Sequence, residues 1–166
     1  MNPETLAFQF QVGEFVMQKN LAGLSHEESL TPPQQGGNSL NWVVGHIVRA
    51  RNQASTLLSA TPPFDDRDFE PYGAKSFKPA QAIPLVQLQE RFIALGVVLS
   101  QSLRTANPEV LGAIAPFSPT GNPNETIGSL LASIAFHEAY HLGQTGILRR
   151  LLGKPGALLA PGEEPH

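Results

Sequence analysis

His137-Glu138-Ala139-Tyr140-His141-Leu142-Gly143-Gln144 is the stretch that decides the reading of this chain. Its first five residues match H-E-x-x-H. Two histidines four positions apart on a helix lie about 40° apart around the axis and roughly 6 Å along it. Both imidazoles can therefore reach one metal ion. In a zinc protease the glutamate of this motif is the general base toward water. Such enzymes also need a third protein ligand, commonly downstream, and a strand to hold the peptide. The G-x-x-H extension is absent here: Thr145-Gly146-Ile147 follows Gln144, and the next histidine is His166 in the tail. No segment alternates as a strand does. The protease reading is the weaker one.

Outward from the motif, the pattern predicts a helix from about Asn124 to Gly153. Asn124 is the expected cap, Glu125 suits the positive end of the helix dipole, and Arg149, Arg150 and Lys154 suit the negative end. Gly153 followed by Pro155 is a stop signal. The stripe Leu130, Ile134, His137, His141, Gln144, Leu148 keeps a three-four spacing, which places both histidines on the core face. Buried imidazoles need partners, and one metal ion satisfies both.

Three more helical patterns precede it. The first runs from Pro3 to Leu24, the second from Ser39 to Ala60, and the third from Pro84 to Thr105. Ser39 or Asn38 caps the second, and Pro84 sits at the start of the third. Residues 61–83 form a long connection with several prolines, read as a solvated crossover that lets the second and third helices run parallel. Residues 107–123 form another, with a short turn around Glu109 to Ile114. The acidic stretches Ser25–Glu28 and Phe64–Glu70 read as solvated loops. Four amphipathic helices with long connections predict an all-α, four-helix bundle.

The chain has 166 residues, 41% of them hydrophobic, and a net charge of −3. That is one domain's worth of sequence. No basic block marks a nucleic-acid partner. No run of about 18 apolar residues marks a membrane span, and Met1-Asn2-Pro3-Glu4 does not begin a signal peptide. There is no cysteine, which excludes thiolate ligands and suits a cytoplasmic protein.

His46 lies in the second helix, near its inner stripe. Alone it reads as an ordinary core or surface histidine. With His137 and His141 it makes a three-ligand site with open positions, the mark of a catalytic rather than a structural metal. Gly45 beside it costs helix stability and implies a close approach of backbone or ligand. Trp42, one turn earlier, walls the site or fills core, and Tyr140 reads as a core aromatic. Arg49 and Arg51 lie just beyond His46. Each reads as a solvated helix arginine or as a contact for an acidic cosubstrate. His26 and His166 carry no function in this reading.

Leu40-Asn41-Trp42-Val43-Val44-Gly45-His46-Ile47 and His137 to Gln144, followed by Leu148-Arg149-Arg150 and Gly153, resemble the DinB/YfiT-like superfamily. The resemblance covers the order of helices along the chain. It implies a bundle over residues 1–153 with a tail at 154–166. It implies a divalent metal held by His46, His137 and His141, with Glu138 and Tyr140 as accompanying residues. It further implies a metal-dependent enzyme that uses a low-molecular-weight thiol in transfer, acting on a small-molecule substrate as a homodimer. With no cysteine in the chain, the thiol is a cosubstrate. Hydrolysis by metal-activated water and metal or ligand binding without turnover are the alternatives. Zinc and nickel lead among the metals, and iron, manganese and copper also suit imidazole.

Overall fold

The computed structural model describes residues 2–34, 36–58, 61–73 and 77–158. Ala60, His166 and the end of the expected tail lie outside the described residues. The architecture is all-helical. No described helix is long and apolar enough to cross a membrane.

Helix α1 spans Pro3–Leu21, with the Asn2 side chain accepting from the Glu4 backbone at 2.9 Å. It ends earlier than expected. Gly23 takes a left-handed φ of 72°, and the chain re-enters helix as α2, His26–Leu30. Ser25 and Glu28 form a reciprocal capping box there, satisfying two orphan N–H groups. The stretch read as a solvated loop is thus a helix start, and His26 is its first residue.

Helix α3, Leu40–Leu57, is capped by Ser39, one of the two candidates in the sequence. Helix α4, Leu85–Arg104, begins one residue after Pro84. Between them, Asp66–Tyr72 forms a 3-10 segment. Its Phe69 and Tyr72 are fully buried, which corrects the reading of this connection as a solvated crossover. The acidic residues face water while the aromatics enter the core.

Helix α5 is short, Pro108–Gly112. Helix α6, Ile127–Leu151, starts later than expected, capped by Thr126 instead of Asn124. The reason is Ser129, which completes a capping box with Thr126. Glu125 is buried and accepts from Ser129 and from Ser118, so it ties down the preceding loop. Arg149, expected at the end of its own helix, donates to the carbonyls of Asn20 and Ala22 at the end of α1.

The four long helices pack as a bundle. Leu6, Ala7 and Phe10 meet Ala54, Leu99, Leu103, Leu131 and Ala135 at one end. Met17 and Leu21 meet Leu40, Leu85, Leu88, Leu142 and Leu148 toward the other. Hence α1 and α6 run one way and α3 and α4 the other, as the long 61–83 connection permits. Each such buried side chain contributes about 1.5–3 kcal/mol.

Candidate metal centre

The core face of α6 keeps the two ends of the stripe the sequence suggests, Leu130 and Leu148, and is rotated from it in the middle. Leu131, Ala135, Glu138, Leu142, Thr145 and Arg149 are buried, whereas Ile134, His137, His141 and Gln144 are only half-buried. Asn20 Nδ2 holds this rotation by donating to Thr145 Oγ1 at 2.9 Å and to the Leu142 carbonyl at 3.2 Å. The histidines therefore sit half-buried at the rim of the core, facing α3.

His46 projects from α3 into the same place. Its ring stacks on Trp42, centroids 4.7 Å apart and planes 10° from parallel. Its Nδ1 donates to the Tyr72 carbonyl at 3.0 Å. Tyr72 is itself fixed: its hydroxyl donates to Asn41 Oδ1 and accepts from the Ile83 N–H. Gly45 makes this possible, because a Cβ there would overlap the Tyr72 ring. The glycine anticipated as a point of close approach is one, and the approaching group is an aromatic side chain.

His46 Nε2 lies 3.1 Å from His137 Nε2, which lies 3.0 Å from His141 Nε2. All three ligand atoms fall within 4.8 Å of one another. A carbonyl only accepts, so His46 carries its proton on Nδ1. Gln144 Oε1 accepts from His141 Nδ1 at 2.8 Å and fixes that ring the same way. Two Nε2 lone pairs thus converge on His137. One N–H on His137 can satisfy only one of them. A cation bound to all three satisfies the set, so the donor chemistry fits a metal ion.

Burial holds His46 below the ordinary histidine range, against the pull of the Tyr72 carbonyl. Burial, then the neighbouring His141 and His46, bring His137 down to about 4. Both rings are neutral at pH 7, as ligation requires.

Glu138 points away from this cluster. It is 3% exposed, and both carboxylate oxygens accept from Arg51 at 2.7 Å. It cannot serve as a general base at the histidines, which removes the protease reading. Arg51 is fully buried, so it is neither a solvated arginine nor a contact for a cosubstrate. Arg49 is half-buried, and its Nε has no hydrogen-bond partner among the described residues. Tyr140 is exposed rather than core, with its ring edge-on to His141.

A sequence profile of the DinB superfamily matches residues 9–145, a span that contains all three histidines. The chain belongs to the DinB superfamily. No curated protein matches it. The Trp42–His46 stack and the Gln144–His141 bond give physical content to the two segments on which the resemblance rests. In the sequence Gln144 stands only as a member of the helical stripe. Its spacing of three from His141 on a helix was the available signal.

Proposed function

We propose that this DinB-superfamily chain holds a divalent metal ion through His46, His137 and His141 and activates a low-molecular-weight thiol for transfer to a small molecule. The observation that carries the reading is the convergence of three Nε2 atoms, with two rings locked by partners on their far nitrogens. When bound, the ion supplies Lewis acidity, lowering the pKa of a thiol or water at its open positions. Zinc and nickel are the leading candidates, and iron, manganese and copper are compatible.

The chain's own residues do the rest. Trp42 and the Tyr72 carbonyl hold His46 in place, and Gln144 holds His141. Such outer partners fix tautomer and ring orientation. Arg49, one turn beyond His46 on α3, is the candidate contact for an acidic cosubstrate, its Nε having no hydrogen-bond partner among the described residues. The absence of cysteine makes the thiol an exogenous one.

The working form is proposed to be a homodimer. In support, α1 and α6 leave an apolar face uncovered among the described residues: Phe8 is 63% exposed, Phe136 75% and Ile147 63%. They flank a groove of about 860 Å³. Phe136 and Gly143 are a bump and a gap seven residues apart, about 10 Å along one helix. A two-fold axis between them would seat each phenylalanine over its partner's glycine, as an isologous interface requires.

The functional test uses cobalt-loaded protein. Titration with a small thiol is expected to alter the visible spectrum, and thiol plus an electrophilic substrate to give the S-conjugate. Turnover without thiol would instead establish hydrolysis. A spectrum indifferent to every thiol would remove the thiol from the reading.

A further inference from the structure

We infer that the buried Arg51–Glu138 pair is a positioning device that sets α3 against α6 and thereby brings His46 to His137 and His141. The inference rests on the reading of the three histidines as metal ligands.

The pair occupies a polar node between the two apolar clusters of the bundle. Every N–H of the Arg51 guanidinium is used. Nε and Nη2 donate to the two Glu138 oxygens, each at 2.7 Å. Nη2 also donates to the Phe10 carbonyl at 2.8 Å. Nη1 donates to the Phe92 carbonyl at 3.0 Å and to Glu14 Oε1 at 3.3 Å. The Phe92 ring lies 3.5 Å below the guanidinium. Partners thus come from α1, α4 and α6 around an arginine on α3. Glycines make the room: a Cβ on Gly13 would overlap Glu138, and one on Gly96 would overlap Glu14 and Arg51.

The placement relative to the ligands gives the node its role. Arg51 is five residues after His46, about 7.5 Å along α3. Glu138 lies between His137 and His141 in sequence. On an ideal helix both histidines fall on the same side of it, within roughly 100° of rotation. Pointing Glu138 into the core therefore turns both imidazoles toward α3. A two-pronged guanidinium–carboxylate contact fixes distance and angle together. A one-residue slip of α3 along α6 shifts it about 1.5 Å, which stretches both 2.7 Å bonds and the His46–His137 approach together. One contact sets both registers.

Stability alone does not account for the pair. Apolar residues of similar volume often replace a buried ion pair at no cost, and the best-attested use of such groups is to fix register.

The test compares metal-free stability with cobalt binding in Arg51→Met/Glu138→Met, Glu138→Gln and a control, Leu99→Ala, in the cluster remote from the site. The double variant is expected to lose cobalt affinity about 10- to 100-fold, the range for groups that orient ligands, with an altered cobalt spectrum, whatever change in metal-free melting temperature follows from the loss of Glu14's partner. Glu138→Gln, which keeps the shape, is expected to lose less affinity than the double variant. Leu99→Ala is expected to lower the melting temperature and leave the cobalt spectrum unchanged. If the double variant does not fold, a wild-type affinity and spectrum in Glu138→Gln overturns the inference. Wild-type affinity and spectrum in a folded double variant overturns it too, while leaving the metal site standing. A wild-type protein that binds no cobalt through His46 removes both.

Discussion

At the scale of the residue, His137 shows how a neutral ring is kept ready for a metal. Its ordinary value of 6.5 falls to about 4 in the folded chain, first by burial and then by His141 and His46. A base whose folded value is depressed stabilises the fold above its unfolded value and loses that contribution as pH falls. Metal-free protein is thus expected to lose melting temperature between about pH 6.5 and pH 4. His137→Gln should flatten that part of the profile. An unchanged profile in the variant would mean that the proton uptake lies elsewhere. The histidine pair was legible in the sequence because a helix converts a spacing of four into a shared face. Arg51 was not. An arginine on a helix is mostly exposed, and its partner lies 87 positions away, beyond any local spacing rule.

At the scale of the element, Gly45 carries two opposed effects. Alanine there would raise helix propensity by about 1 kcal/mol. Its Cβ would also displace the Tyr72 ring, and with it the carbonyl that holds His46 Nδ1. Overpacking costs about 1–3 kcal/mol, so Gly45→Ala is expected to lower both thermal stability and metal affinity. A variant more stable than wild type with full affinity would contradict the packing seen here. The start of α6 gives a second test. Thr126→Ala removes a cap and should cost about 1 kcal/mol, whereas Asn124→Ala should cost little in a thermal melt. Ser39 and Asn38 compete at the start of α3 as Thr126 and Asn124 do at the start of α6, and in the second case the side chain of Ser129 decides for Thr126. The 61–83 connection hid its two buried aromatics among prolines and acids that do face water.

At the scale of the whole molecule, the order of long and short elements was enough to give the bundle. Apolar positions at three and four on four segments admit few other packings. The rotation of α6 was harder to see, because its apolar residues lie on more than one side. Leu131, Ala135 and Leu142 are buried, while Phe136, Ile147 and Leu151 are exposed. Phe136 and Ile147 belong to the proposed dimer face. Phe136→Glu is expected to convert a dimer to a monomer in light scattering, with the helical content unchanged. A wild-type protein that is monomeric at every concentration would remove that face from the account.

The central claim is that three histidines from two helices hold one metal ion. The most direct measurement is elemental analysis of protein purified without a histidine tag, beside His46→Ala and His137→Ala. The account predicts about one equivalent of divalent metal in the wild type, as for a single three-ligand site, and its loss in each folded variant. Full metal content in both variants would contradict it.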